Sequence, residues 1–121
     1  MRKCLTVYLL FLLSPLNTFA TSNLPFPADV FEVDGHRAFV MEPENPAEGR
    51  PWVWYAPTLE NLPDASHAYF FGPLLKQGVA IAGYDLGEVR GAPGSSQKFT
   101  EFYDAMVEKG YSKKPVLLGQ S

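Results

Sequence analysis

The sequence predicts an α/β fold in which an antiparallel hairpin precedes three parallel strands joined by two crossover helices. Three observations carry that expectation. Apolar runs at residues 52–56, 79–84 and 116–118 are short and apolar on both alternating faces, as strands buried inside a sheet are. Two stretches of helical periodicity separate them, and strand, helix, strand, helix, strand with connections of this length is the pattern of a parallel sheet covered by helices. Upstream, Asp34-Gly35 divides two extended stretches, and tight hairpin turns favour Asp-Gly because it tolerates positive φ.

The 121 residues allow one folded domain, and the first twenty read as a separate segment. Arg2 and Lys3 give a basic start, residues 4–13 are almost wholly apolar, Ser14-Pro15 breaks the run, and Thr18-Phe19-Ala20 supplies small residues before a cut. These are the three regions of a secretory signal peptide, so residues 1–20 are expected to direct export to the periplasm or outside the cell. Ten apolar residues fall short of the roughly 20 that span a bilayer as a helix, so no stable membrane anchor is expected. Cys4 precedes the apolar run, which is the wrong order for a lipoprotein. It is also the only cysteine, so a processed chain would hold none and no disulfide.

Removing Arg2 and Lys3 leaves eight basic residues against thirteen acidic ones, a net charge of -5 with neutral histidines. The bases are scattered apart from Lys113-Lys114, so nothing suggests a phosphate-binding surface and nucleic acid is not an expected partner. Apolar residues make up 46% of the chain, enough for a real core and against disorder. No metal-ligand cluster, phosphate loop or dinucleotide fingerprint is present, so no cofactor is expected. The oligomeric state is not legible.

Residues 21–30 read as an N-terminal extension, with the two prolines of residues 21–27 keeping it loosely held, and the folded domain runs from 31 to 121. The hairpin occupies residues 31–41. Pro43, Pro46, Gly49 and Pro51 make 42–51 a surface loop, since proline cannot continue a ladder. Residues 52–56 form a central strand that Pro57 ends. In 64–77, Ala65, Ala68, Tyr69, Leu74 and Leu75 recur at roughly helical spacing, with Asp64 or Ser66 as N-cap and Gly78 as the stop. Gly72-Pro73 is expected to kink or restart this helix, because proline lacks the amide donor and clashes with the preceding turn. The strand at 79–84 carries small residues, Ala80, Ala82 and Gly83, which would let a helix pack close. Residues 85–96 form a polar loop with Ser95 or Ser96 capping the next helix. That helix is the clearest element: Phe99, Phe102, Tyr103, Met106 and Val107 make one apolar face, and Gly110 ends it. Lys113-Lys114-Pro115 then turns into the strand 116–118, which leads to Gly119-Gln120-Ser121.

Ligands of parallel sheets bind beyond the carboxyl ends of the strands, and residues 57–62, 85–96 and Ser121 all fall there. An apolar strand running into Gly-x-Ser at the end of a third parallel strand, after an antiparallel hairpin, resembles the N-terminal half of an α/β-hydrolase up to its nucleophile elbow. The likeness covers residues 31–121, with 52–59, 78–87 and 115–121 carrying it, and the chain is similar to secreted bacterial esterases and prolyl-oligopeptidase-like serine hydrolases. It implies that 31–121 is an incomplete α/β-hydrolase domain, because the second glycine of the elbow, the acid and the histidine all follow the serine in that family.

The resemblance gives Ser121 the role of nucleophile in cleaving a carboxylic ester or peptide bond through an acyl-enzyme. One oxyanion donor would be the amide after Ser121, the other that of Thr58 or Leu59 in the loop after the first parallel strand, which lacks the His-Gly form of many lipases. The substrate would be a small-molecule or carbohydrate ester, or a peptide. His36 and His67 precede the serine and so are not expected to be its base. Asp85 and Glu88 stand on the binding edge, where solvated loop carboxylates are the commoner outcome. Trp52 and Trp54 are expected to pack in the core, not to stack on sugars. The chain alone is expected to be inactive, with residues 116–118 left as an unpaired apolar edge. The alternative is a non-catalytic exported binding module, or a hydrolase-like protein without the triad.

Overall fold

The computed structural model describes residues 23–57 and 61–120. The chain runs through β1 (Asp29–Val33), β2 (His36–Met41), β3 (Trp52–Pro57), a 3-10 turn (Ala65–His67), α1 (Ala68–Lys76), β4 (Ala80–Tyr84), α2 (Pro93–Glu108) and β5 (Val116–Gln120). The five strands make one sheet in the order β1-β2-β4-β3-β5. β1 pairs with β2 and β2 with β4 antiparallel, while β3 lies parallel to both β4 and β5. The expected hairpin, three parallel strands and two crossover helices are all present.

The order explains where the helices go. The crossover through α1 steps from β3 to β4, and the crossover through α2 steps back past β3 to β5. Right-handed crossovers that step in opposite directions leave their helices on opposite faces of the sheet. Accordingly there are two cores. On the α2 face, Trp52, Ala80, Ala82 and Tyr84 meet Phe102, Met106 and Tyr111. On the α1 face, Phe39, Met41, Val53, Tyr55 and Ile81 meet Phe71.

Local chemistry accounts for the elements. Asp34 and Gly35 both adopt positive φ in the hairpin turn. Gly78, at φ +83°, closes α1 with the Gly78 amide donating to the Leu75 carbonyl and the Val79 amide to that of Leu74. A Cβ there would stand 2.4 Å from the Ala47 amide nitrogen, which donates to the Gly78 carbonyl, so this glycine also lets the 42–51 loop sit on the helix end. At the same end of the sheet, Arg50 donates to the Lys109 carbonyl at 2.7 Å and to Glu42 at 3.2 Å, with its guanidinium 4.1 Å from the Tyr111 ring centre.

Four expectations are corrected. Pro73 sits inside a continuous α1, so the helix does not restart there. The lost amide would have bonded to the carbonyl of Tyr69, whose 80% exposure leaves that region to water, and Gly72 has no Cβ for the proline ring to clash with. Neither Ser95 nor Ser96 caps α2: the helix starts earlier, with Ala92 as N-cap and Pro93 at the first helical position, where its missing amide costs nothing. Gly83 makes room for a side chain, not a helix, since a Cβ there would lie 2.5 Å from the Phe39 ring. Leu24 and Phe26 are not loosely held, because both pack against the α1-face core.

Candidate active site at the carboxyl edge of the sheet

β3 is where the strand order reverses, with β4 on one side and β5 on the other. The crevice beyond the carboxyl ends at such a point is the usual ligand site of an open α/β sheet. Pairing brings the ends of β3 and β5 level, with Ala56 opposite Gly119 and Pro57 opposite Gln120. Thr58 and Leu59 follow the first strand in the chain and Ser121 follows the second; all three lie outside the described residues, as does the expected signal peptide.

What the described residues build at this edge is a polar node in which Tyr55 and His67 are buried and Gln120 is exposed. Side chains alternate along β3, so Tyr55 projects to the α1 face, and Gln120 of β5 joins it there. The Tyr55 hydroxyl donates to Gln120 Oε1 at 2.5 Å and lies 2.9 Å from His67 Nε2. His67 Nε2 is also 3.1 Å from Gln120 Oε1. On the other side of the imidazole, the Asp64 backbone amide donates to Nδ1 at 3.2 Å. Nδ1 also lies 3.1 Å from Asp64 Oδ1, so the imidazole is held on both sides: by Asp64 at Nδ1 and by Tyr55 and Gln120 at Nε2.

The turn at Ala65–His67 holds the histidine in place. Asp64 is its N-cap and accepts from the Ser66 amide at 2.9 Å and the Ser66 hydroxyl at 2.6 Å, while His67 reaches back to the Asp64 amide in a capping box. Of the two cap residues left open by the sequence, Asp64 is the one used. His67 is 4% exposed, with Tyr55, Phe70 and Phe71 rings 5.4, 5.5 and 5.7 Å from its own. Burial pushes the Tyr55 hydroxyl up to about 12, helped by the negative charge of Asp64, so it stays a neutral donor at any physiological pH. The Ser66 hydroxyl and amide, followed by His67, hold the Asp64 carboxyl below the usual carboxylate range.

The other flagged residues stand apart. Both ring nitrogens of His67 are engaged within this node. His36, on β2, accepts from Lys98 Nζ at 3.3 Å. Asp85 and Glu88 are exposed, and Glu88 pairs with Arg90 at 2.9 Å. Trp52 and Trp54 stack on each other at 5.9 Å and pack on Phe102, as expected of core residues. Beside β5, Trp54, Ala56, Phe99, Leu117, Leu118 and Gly119 line an apolar hollow of about 380 Å³. β5 forms the sheet edge among the described residues, with Val116 63% and Leu117 71% exposed, the apolar edge anticipated from the sequence. No group of three or more His, Cys, Asp or Glu among the described residues could hold a metal ion.

The node was not anticipated. One signal for it exists in the sequence, a tyrosine in an otherwise apolar central strand, whose hydroxyl needs a buried partner. The identity of that partner is not legible, because His67 and Gln120 lie 12 and 65 residues away.

No protein-family model matches the chain, and no curated protein matches it in sequence. Among solved structures, it is similar to Est1E from Butyrivibrio proteoclasticus, with 17% identity over 78% of this chain and 40% of that one and a TM-score of 0.58. It is also similar to an esterase, E25, with 17% identity over 78% of this chain and 31% of that one and a TM-score of 0.53. The chain therefore spans well under half the length of either structure. The fold is that of the N-terminal part of an α/β-hydrolase.

Proposed function

We propose that this N-terminal part of an α/β-hydrolase fold belongs to an exported serine hydrolase that cleaves a carboxylic ester, with Ser121 as its nucleophile. The observation that carries the reading is the pairing of β5 with β3. It brings Gly119-Gln120, the two residues before Ser121, to the carboxyl edge of the sheet at the strand where the order reverses. An apolar strand delivering Gly-x-Ser to that edge is the arrangement of a nucleophile elbow.

In this mechanism Ser121 Oγ attacks the carbonyl carbon as a histidine base takes its proton. The bond to the leaving alcohol breaks, and the histidine returns the proton to that oxygen. Water, deprotonated by the same base, then releases the acid and regenerates the serine. The base and its acidic partner follow Ser121 in chain order, as in this fold generally. The amide of Thr58 or Leu59 supplies one donor to the oxyanion, and the amide after Ser121 the other. The acidic chain and the export signal suit a small-molecule or carbohydrate ester outside the cytoplasm.

The test is fluorophosphonate labelling of the complete gene product that carries this chain, with the adduct mapped by mass spectrometry. A single adduct at Ser121 is expected, and Ser121→Ala should abolish it and lower p-nitrophenyl acetate hydrolysis by about 1,000-fold or more. Folded protein that leaves Ser121 unlabelled would overturn the assignment and favour the non-catalytic alternative.

A further inference from the structure

We infer that Tyr55, His67 and Gln120 are positioning residues, which fix the direction in which the chain leaves β5 and so the placement of Ser121. The inference rests on the serine-hydrolase reading above.

β5 lies parallel to β3, and Gln120 is its last residue, opposite Pro57. At that end Gln120, itself exposed, sets its Oε1 within hydrogen-bond distance of side chains from two other elements. Tyr55 comes from the neighbouring strand and His67 from the turn entering α1. Three separate parts of the chain thus converge on one oxygen.

These two side chains are themselves rigid. Tyr55 is fully buried against Phe71, and His67 is fixed by the capping box with Asp64 and by the Phe70 and Phe71 rings. Apolar contacts tolerate sliding, but the Tyr55 hydroxyl and the His67 imidazole are buried and directional, and the exposed Gln120 meets both through one oxygen. A shift of β5 along β3, or a rotation of its last residue, would break both contacts to Gln120. The cost of that misalignment is what holds the strand end in register. For a nucleophile on the next residue the consequence is kinetic, since about 1 Å of misplacement can cost on the order of 100-fold in rate.

The experiment compares Tyr55→Phe, Gln120→Met, the double variant, His67→Leu and His67→Gln in the complete gene product. Each is assayed for p-nitrophenyl acetate hydrolysis and for hydrogen–deuterium exchange of the amides of 64–67 and 119–120. Tyr55→Phe and Gln120→Met should each lower kcat about 10- to 100-fold with little change in KM, and the double variant should be no worse than either. His67→Gln, which keeps a polar side-chain group near the Nε2 position, should recover most of the rate that His67→Leu loses. Exchange should rise together in both segments in Tyr55→Phe while α2 stays protected.

Folded variants with wild-type kcat, or with a loss borne by KM alone, would overturn the inference. So would additive losses in the double variant. A wild-type protein that takes no label at Ser121 would instead overturn the hydrolase reading. The exchange arm still decides in that case: joint loosening of the two segments supports the three-way tie, and loosening of one or neither refutes it.

Discussion

On the side of β3 that meets α2, Trp52 and Trp54 stack on each other and on Phe102, whereas on the side that meets α1 the same strand carries Tyr55 into a hydrogen-bonded node with His67 and Gln120. The α2 side is held by area. Its rings lie 5.0 to 6.4 Å apart, mostly edge to face, and the indole N–H of Trp52 is satisfied at 2.8 Å by the Ser112 carbonyl, at the opposite end of the strand from the candidate site. The α1 side adds direction to area, because each polar group there has few permissible partners. The first arrangement sets how stable the sheet is, and the second where its carboxyl edge is held.

The contrast can be broken most severely at Phe102, which is fully buried and touches Trp52, Trp54 and Tyr84. Phe102→Ala should cost about 3–5 kcal/mol in urea denaturation through lost transfer energy and a cavity. Phe102→Leu should recover much of it, since apolar packing tolerates changes of shape.

Tyr55→Phe should cost less, about 1–3 kcal/mol, because it removes one hydroxyl and takes from the buried His67 Nε2 its 2.9 Å partner. Its effect has a pH window. The native hydroxyl ionises near 12 and an unfolded tyrosine near 10. Below pH 10 both states hold the proton and the contribution is constant. Above that, the unfolded chain releases a proton that the native state retains, so stability falls as pH rises. The gap in denaturation midpoint between wild type and Tyr55→Phe should be flat from pH 6 to 9 and should narrow from pH 10 upward.

The smallest effect is expected far from both cores, at the 2.8 Å ion pair of Lys98 and Asp34 beside the hairpin turn. Lys98 holds the Asp34 carboxyl below its usual range, so the pair's contribution is present above the ordinary carboxylate range and is lost as pH falls through the lowered value. Asp34→Asn should shift the midpoint least of the three, and the shift should vanish in about 1 M salt, where the Debye length is roughly 3 Å.

What could be read from the sequence follows the range of the interaction that decides it. The Asp34-Gly35 turn, the apolar face of α2 and the stop at Gly110 depend on neighbours within a few residues, and all three stand as expected. The start of α2 was misplaced because two plausible serines outweighed Pro93, although proline at the first helical position is itself a local signal. Pro73 was misjudged because its tolerance depends on Gly72 before it and on solvent over Tyr69. Gly83 faces Phe39 across a strand pairing that no periodicity reveals. The node was hidden most completely: Tyr55, His67 and Gln120 are individually ordinary, and only the β3–β5 register brings them together.

That register also sets an order of events. Tyr55 and Gln120 are 65 residues apart, so their bond closes a long loop and can form only after the residues between them have been made. During synthesis at about 5–20 residues per second, the edge of β3 that β5 will cover waits on the order of 3–13 seconds for its partner. Throughout that interval Trp54 and the hydroxyl of Tyr55 lack the strand that will cover them. The strand at the centre of the sheet is therefore completed last.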